Sequence, residues 1–227
     1  MTLLIIALAP VVTILIYIYF RDKYEKEPIG LLLKGFFAGV IIVFPCALIE
    51  VFISALFPFE VPYVSAIWNG FMVAGLTEEL FKFLCVMLLF WKNKNFNEKF
   101  DGIVYAVFVS LGFAALENIF YVYDKGLSVG LLRAFTAVPA HALFGIIMGS
   151  YIGIARFERE NSGSLLWQAF LYAWVFHGIY DFLLMTGNGI FVLLEIPFMF
   201  FLIRKAFKRM KRLSEESFFQ GTESKLQ

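Results

Sequence analysis

The sequence predicts an all-α, polytopic membrane protein with about seven transmembrane helices. Of its 227 residues, 61% are hydrophobic and 16% are charged, whereas about 25% of residues are charged in soluble domains. Apolar runs of about 18 or more residues recur along the chain, as expected of helices that cross a bilayer. The net charge of +1 does not favour a nucleic-acid partner. Cys46 and Cys85 lie inside apolar runs, so they predict packed thiols rather than a disulfide.

The apolar runs define seven predicted spans. They are Leu3–Phe20, Ile29–Phe57, Ile67–Trp91, Ile103–Tyr123, Leu131–Ala155, Leu165–Met185 and Ile190–Phe207. Pro45 lies inside the second span, where a kink or a re-entrant entry would suit a proline. We therefore predict one multi-pass transmembrane domain over residues 1–207 and a polar cytoplasmic tail over residues 208–227.

The connecting segments predict the orientation of the chain. The basic connections are RDKYEKEP after the first span, KNKNFNEKF after the third and RFERENSGS after the fifth, together with the C-terminal region. They hold fifteen of the 19 lysine and arginine residues, whereas the alternate connections hold only Lys125 and the nearby Arg133. The positive-inside rule then places the N-terminus outside and the C-terminus in the cytoplasm.

Ionisable side chains inside the spans converge on one layer of the bilayer. With a rise of about 1.5 Å per residue from the outer end of each span, Glu78 lies about 16 Å deep, His141 about 15 Å and His177 about 12 Å. Glu117 and Asp181 lie at depths of about 9 Å and about 6 Å. All five fall in the outer half of a hydrocarbon core about 30 Å thick, where an unpaired charge costs several kcal/mol. This convergence predicts a polar catalytic cavity that opens to the outside.

The spacing within the helices places several of these groups on shared faces. In EELFK, Glu78 and Lys82 lie on one face, whereas Glu79 is turned about 100° away. In HGIYD, Asp181 can hold one imidazole nitrogen of His177 and leave the other nitrogen for chemistry. Small residues nearby allow close approach of helix backbones: Gly75, Gly112, Ala114, Ala115, Gly145, Gly149 and Gly178.

Structural roles are the alternative for each of these residues. A single histidine in a membrane span often makes only an interhelical hydrogen bond, and Lys82 can serve simply as the partner of Glu78. Glu50 and Glu195 are interpreted as buried structural glutamates, either neutral or paired. A purely structural role for the whole set is less favoured, because several helices deliver ionisable groups to one layer.

Four motifs in order resemble those of a known protease family. EELFK, FAALE, HALFG and HGIYD, on separate helices between Ile67 and Met185, are similar to the motifs of PrsW-type bacterial membrane proteases. This family is a branch of the superfamily that contains the type II CAAX prenyl endopeptidases. The resemblance implies a peptidase in the bacterial cell membrane that makes the first, site-1 cut in an anti-sigma factor on the extracytoplasmic side. A second intramembrane protease would then complete the release of the sigma factor, as in regulated intramembrane proteolysis during a stress response.

The sequence departs from the CAAX pattern at three positions. That pattern has an arginine one position after Lys82, a histidine where Glu117 stands, and often an asparagine where Asp181 stands. These positions belong to the substrate-processing site, so the departures weigh against prenylated substrates. They also leave open whether the site uses a metal.

The chemical steps of peptide hydrolysis suggest candidate roles for the polar residues. Glu78, partly removed from water, suits a general base that later acts as an acid. Glu79 or Glu117 could hold the second hydrogen of the attacking water, and His177, oriented by Asp181, could donate to the oxyanion. Lys82 and His141 are the supporting residues. If zinc is bound, His141, His177 and Glu117 would form its ligand set. No HExxH motif is present, so zinc-assisted and metal-free chemistry are both left open.

A proton- or ion-coupled secondary transporter is the main alternative function. Such a protein would also bury carboxylates and histidines near the middle of the membrane. It would be expected to contain inverted repeats, and the chain shows no internal repeat. The protease hypothesis predicts a single-pass membrane protein as substrate, with the lipid bilayer as the second partner and no nucleic acid.

Overall fold

A computed structural model of the chain describes residues 2–219, which form a bundle of helices. The long helices are α1 (Thr2–Arg21), α2 (Ile29–Leu56), α4 (Leu76–Phe90), α5 (Asp101–Lys125), α7 (Ala137–Phe157), α8 (Ser162–Met185) and α9 (Gly189–Glu215). The shorter segments are α3 (Pro62–Ile67), a π-helical segment (Trp68–Gly75), α6 (Leu127–Phe135) and a 3₁₀ turn (Arg159–Asn161). The described residues form no β-strand, so the all-α prediction is confirmed.

The helices are consistent with a multi-pass membrane protein. Length and composition identify four stretches that could cross a bilayer: Leu3–Arg21, Ile29–Leu56, Asp101–Lys125 and Leu127–Phe157. The predicted number of seven spans is not established by this criterion. Helix α2 continues through Pro45 without a break.

The third predicted span begins earlier in the structure and contains a π-helical segment. Pro62 occupies the first turn of α3, where its missing N–H group is not needed by the helix. The π-helical segment then runs directly into α4, which carries the EELFK motif. Trp174 on α8 donates a 2.7 Å hydrogen bond to the backbone carbonyl of Phe71 within this segment. The π-helical segment therefore sets the rotation at which α4 enters the site.

The predicted fifth span, Leu131–Ala155, lies within the candidate span Leu127–Phe157, and the structure adds an interruption of the helix at Thr136. Helix α6 ends at Phe135, and α7 begins at Ala137 after the non-helical residue Thr136. The physical reason is Pro139, which has no N–H group for the carbonyl of Phe135 and whose ring would clash with that carbonyl in a continuous helix. His141 therefore lies close to the start of α7.

Helices α5 and α7 form the centre of the bundle. Residues 101–115 of α5 are all buried, while α1, α2 and α9 expose large apolar side chains to their surroundings. Close backbone contact makes this packing possible. A Cβ atom on Gly112 would lie 1.9 Å from the carbonyl oxygen of Phe36, and one on Gly39 would lie 2.1 Å from that of Val109. The crossing of α2 and α5 thus depends on two glycines.

The predicted tail is partly helical. Helix α9 passes through Pro197 and continues to Glu215, so residues 208–215 extend the last helix. Residues 220–227 of the predicted tail lie outside the described residues. The boundary between the domain and the tail stays a prediction.

We expect Gly112→Ala to destabilise the protein by separating α2 from α5. The added methyl group would meet the Phe36 carbonyl at 1.9 Å, and a backbone atom cannot rotate away as a side chain can. Overpacking of this kind costs about 1–3 kcal/mol or more, which should lower the melting temperature of the detergent-purified protein.

Gly163→Ala is the matched control, because a Cβ atom at Gly163 would meet no atom within 4 Å. It should leave the melting temperature unchanged or raise it slightly, since alanine favours the helix. Equal melting temperatures for Gly112→Ala and wild type would contradict the proposed contact between α2 and α5.

Candidate active site

The ammonium group of Lys82 is the centre of a buried polar cluster. Its Nζ atom donates to Glu78 Oε2 at 2.9 Å, to Glu79 Oε1 at 2.8 Å and to His141 Nδ1 at 3.0 Å. The first two bonds follow from helix geometry, because positions three and four residues apart are neighbours on a helix surface. The third bond joins α4 to α7. Lys82 is fully buried, and its charge is compensated by two carboxylates.

The adjacent glutamates occupy different positions. Glu78 lines a cavity of about 470 Å³, whereas Glu79 lies behind it with no exposed surface. Glu79 Oε1 accepts hydrogen bonds from Lys82 and, at 2.9 Å, from His177 Nδ1. Its second oxygen, Oε2, has no hydrogen-bond partner among the described residues. Glu78 is therefore the glutamate that can contact water or a substrate, and Glu79 is placed to orient its neighbours.

His177 connects α8 to this cluster. Because Glu79 is a hydrogen-bond acceptor, the His177 Nδ1 atom carries a hydrogen and donates it. The other ring nitrogen, Nε2, lies 3.4 Å from Asp181 Oδ2, which is longer than a good hydrogen bond. The ring stacks on Phe144, with 5.0 Å between the ring centres. Nε2 is thus the His177 nitrogen that remains available to water or a substrate, whereas Nδ1 is the nitrogen close to Glu78 and Glu79.

His141 is held on both sides. An ammonium group has no lone pair to offer, so Lys82 must donate to His141 Nδ1, which leaves the ring hydrogen of a neutral imidazole on Nε2. The Nε2–H group then donates to Glu117 Oε2 at 2.9 Å. On its other side, Glu117 Oε1 pairs with the Arg133 guanidinium at 3.0 Å. This chain of contacts joins α4, α5, α6 and α7.

Arg133 is fixed in place by the helices around it. Its Nε atom donates to Asn118 Oδ1 at 3.2 Å, and Asn118 Nδ2 donates to the backbone carbonyl of Ala7 at 3.0 Å. The guanidinium also lies 3.8 Å from the ring centre of Tyr121. Arg133 therefore brings a fixed positive charge to the wall of the cavity.

The cavity lies towards one end of the bundle. It is lined by Glu50 near the end of α2, Asn69 in the π-helical segment, Tyr121 near the end of α5 and Met185 at the end of α8. These positions adjoin the connections that carry few basic residues. Glu78, Glu117, His141, His177 and Asp181 all contribute to its lining, so the structure brings the five residues of the predicted layer to one space.

The donor set in this space suits a divalent metal. One ligand atom from each of Glu78, Glu79, His141 and His177 lies within 4.8 Å of the other three, and all four side chains are buried. Carboxylate and imidazole ligands are common in zinc sites, and the unpaired Oε2 atom of Glu79 is a further available donor. Glu117, which belongs to the predicted zinc set, lies outside this group of four. Lys82 contacts three of the four residues, so its ammonium and a metal ion would compete for the same atoms.

Sequence reasoning missed two charged residues of the cavity wall, Glu50 and Arg133. Arg133 was counted only as a charge in a connection, because its role depends on the break between α6 and α7. Glu50 was interpreted as a structural glutamate, yet it lines the cavity, and its buried Oε1 atom has no partner among the described residues. The estimate of depth from the rise per residue could have identified Glu50. This residue lies seven residues from the outer end of its predicted span, which is a depth of about 10 Å.

Comparison with known proteins gives consistent matches over most of the chain. Residues 27–204 match a family described as PrsW family intramembrane metalloprotease. The Protease PrsW of Oceanobacillus iheyensis is 39% identical over 217 residues, which cover 96% of this chain and 98% of that protein. The Protease PrsW of Bacillus subtilis is 37% identical over 206 residues, which cover 88% of this chain and 92% of that protein. No solved structure matches the chain.

We expect Lys82→Met to strengthen metal binding. Methionine keeps an apolar stem but removes the ammonium that contacts Glu78, Glu79 and His141. In the metal-free protein, loss of this buried cation should lower the melting temperature, because breaking a buried ion pair costs about 3–5 kcal/mol. Zinc should then raise the melting temperature of Lys82→Met by more than that of wild type.

Two controls accompany this comparison. Lys208→Met removes an exposed lysine of α9 and should respond to zinc as wild type does. His177→Ala should reduce the zinc content of the purified protein. A wild type that binds zinc stoichiometrically, beside a Lys82→Met variant that does not, would show that Lys82 supports the metal rather than competing with it.

Proposed function

Because the chain belongs to the PrsW family of intramembrane metalloproteases, we propose that it makes the first, extracytoplasmic cut in a membrane-tethered anti-sigma factor. Family membership itself makes the protein a membrane-embedded peptidase, a hydrolase that passes through the membrane several times. It also decides against the transporter alternative. The proposal adds the substrate class, the side of the membrane and the residues that carry out the reaction.

Glu78 is the proposed proton carrier. It is the member of the Glu78–Glu79 pair that lines the cavity, so a water molecule there can reach its carboxylate. Hydrolysis requires a base that takes a proton from this water and an acid that returns a proton to the leaving amine. Lys82 holds Glu78 Oε2 at 2.9 Å, which fixes the carboxylate during both steps. This placement of Glu78 at the cavity wall is the observation that carries the proposal.

The remaining residues position the scissile peptide and stabilise negative charge. His177 and Asp181 both line the cavity, and a protonated imidazole of His177 can donate to a developing oxyanion there. Arg133 offers a second donor, and Glu117 and Asn118 hold its guanidinium in place. Glu79 acts through His177 and Lys82, so its proposed role is to position them.

A metal in this site would be held by Glu78, Glu79, His141 and His177. When bound, a divalent metal would supply a Lewis acid that polarises the scissile carbonyl and lowers the pKa of water. The proton transfers and donor groups assigned above belong to the protein's own side chains.

The position of the cavity supports cleavage on the extracytoplasmic side. Its wall includes residues next to the α2–α3, α5–α6 and α8–α9 connections, which the distribution of lysine and arginine predicts to be outside. Phe57 and Phe59 of the α2–α3 connection pack on Trp68, with ring centres 4.9 Å and 5.6 Å away, and Trp68 precedes the cavity-lining residue Asn69. A single-pass substrate could enter there and unwind next to its membrane helix.

We expect Glu78→Gln to abolish cleavage of a candidate single-pass substrate by the detergent-purified protein. Glutamine preserves the shape of the side chain but cannot take up a proton from water at neutral pH. Cleavage should fall at least tenfold, while expression and the melting temperature change little. Gel analysis of the substrate fragments over time measures the rate.

Glu160→Gln is the matched control, because Glu160 is an exposed glutamate outside the cavity and should tolerate the same change. More than a tenth of wild-type cleavage by Glu78→Gln would rule out Glu78 as the proton carrier. Cleavage by the wild type after exhaustive chelation would show that the role of Glu78 does not depend on a metal.

We expect the scissile bond to lie outside the substrate's own membrane helix or just within its outer end. A bond near the cytoplasmic end would have to cross about 15 Å of hydrocarbon to reach the cavity, and its backbone groups would lose their hydrogen bonds there. Mass spectrometry of the two fragments locates the cut.

Cysteine-accessibility labelling of the FPFEVPYV and KNKNFNEKF connections provides the topology for this test. If the substrate is cut near the outer surface, FPFEVPYV should be labelled from outside the cell and KNKNFNEKF from the cytoplasm. A cytoplasmic cut with this same topology would contradict the outward opening of the cavity.

A further inference from the structure

A second group of buried carboxylates lies at the opposite end of the bundle from the protease cavity. Asp22, Glu25 and Glu27 come from the α1–α2 connection, and Glu98 precedes Asp101 at the start of α5. Asp101 and the active-site residue Glu117 are sixteen residues apart on the same helix, which corresponds to about 24 Å. This group is therefore separate from the active site.

Several oxygens in the group are buried without a hydrogen-bond partner among the described residues. They are both carboxylate oxygens of Asp22, Glu25 Oε2, Glu27 Oε1 and Asp101 Oδ1. Glu27 is only 1% exposed, and Asp101 is not exposed at all. Buried polar atoms are nearly always satisfied in folded proteins, so these oxygens indicate a missing partner.

The described residues supply no ion-pair partner for these carboxylates. Lys26, which lies between Glu25 and Glu27 in the sequence, directs its ammonium to the backbone carbonyls of Tyr19 and Asp22. Burial and repulsion from Glu98 raise the pKa of Asp22 to about 8, and burial raises the pKa of Glu27 to about 7. Four or more buried acids at one place require either protons or a cation.

We propose that Glu25, Glu27 and Asp101 form a binding site for a divalent cation of the Ca²⁺ or Mg²⁺ type. Each residue offers one carboxylate oxygen, and these three oxygens lie within 4.8 Å of one another. Two ligands on opposite sides of Ca²⁺ are about 4.6–5.2 Å apart, and two on opposite sides of Mg²⁺ are about 4.0–4.2 Å apart. The set contains only oxygen donors, which favours these hard cations over zinc.

The surrounding structure holds the three carboxylates in place. The Tyr105 hydroxyl donates to Glu27 Oε2 at 2.5 Å, and its ring stacks on Phe90 with 4.2 Å between ring centres. Asp101 Oδ2 accepts from the backbone N–H groups of Asn97 and Glu98, each at 2.8 Å. Hydrogen bonds to the ligands from neighbouring groups are typical of metal sites, because they orient the ligands before the ion binds.

Asp22 and Glu98 complete the acidic surroundings. Ser217, just after α9, donates to Glu98 Oε2, so the group also touches the C-terminal end of the last helix. A bound cation would connect the α1–α2 connection to the start of α5 and, through Glu98, to the region after α9. It would stabilise the end of the bundle that the basic connections predict to be cytoplasmic.

The test measures cation binding directly on the full-length protein in detergent after removal of metals by chelation. Equilibrium dialysis with Ca²⁺ or Mg²⁺ should show saturable binding of about one ion per chain. Saturation should raise the melting temperature by about 5 °C. Glu25→Gln and Asp101→Asn should each weaken binding at least tenfold. Glu25 is half-buried and makes no hydrogen bond that holds the backbone, so its variant should fold normally.

Two further variants separate this site from other sources of binding. Glu215→Gln, at an exposed position on α9, should bind the cation as wild type does. His141→Ala should also retain binding, because His141 belongs to the protease cavity. Loss of binding in His141→Ala with normal binding in Asp101→Asn would assign the cation to the protease site and overturn the proposal.

Absence of Ca²⁺ and Mg²⁺ binding by wild type would also overturn the proposal. Stability that falls as the pH rises from 6 to 8, but does not respond to either cation, would show that protons neutralise the carboxylates instead.

Discussion

The buried ammonium of Lys82 is the interaction around which the protease half of the molecule is organised. A charge without access to water must be compensated nearby, and Lys82 is compensated by Glu78 and Glu79 on its own helix and hydrogen-bonded to His141 on α7. Through Glu79 it is also linked to His177 on α8. The packing of α4, α7 and α8 is therefore inseparable from the polar contacts of the site.

The helix arrangement determines which of these groups meets the cavity. Glu78 and Glu79 are neighbours in sequence, yet only Glu78 lines the open space, because the rotation of α4 turns Glu79 towards Lys82 and His177. The π-helical segment before α4 and the hydrogen bond from Trp174 to Phe71 hold that rotation. Two chemically identical side chains thereby acquire different surroundings, one at the wall of the cavity and one behind it.

Acidic side chains have different surroundings at the two ends of α5. At one end, Glu117 is neutralised by Arg133 and hydrogen-bonded by His141. At the other end, Asp101 and Glu27 have oxygens without partners among the described residues, and the nearby Lys26 is turned to backbone carbonyls. In the first arrangement both carboxylate oxygens of Glu117 have partners. In the second arrangement carboxylate oxygens lack partners, and a bound cation would supply them.

The sequence alone determined the class of the protein and most of the ionisable residues that line its cavity. Apolar runs, the distribution of lysine and arginine, and the four-residue spacings of EELFK and HGIYD are local properties, so they could be interpreted without coordinates. They predicted a helical membrane protein with Glu78, Glu117, His141, His177 and Asp181 in one layer, and the structure places all five around one cavity. The resemblance of the motifs predicted the family, which the comparisons confirmed.

Only the tertiary structure decided which partners meet across the bundle. The contact of Lys82 with His141 joins residues 59 positions apart, and the contact of Glu27 with Tyr105 joins residues 78 positions apart. No periodicity in a sequence specifies such pairs, because they depend on helix rotation, on the break at Thr136 and on glycines that allow close crossing. For the same reason the RDKYEKEP segment yielded only a topology prediction from its basic residues, while the role of its acidic residues emerged once the chain was folded.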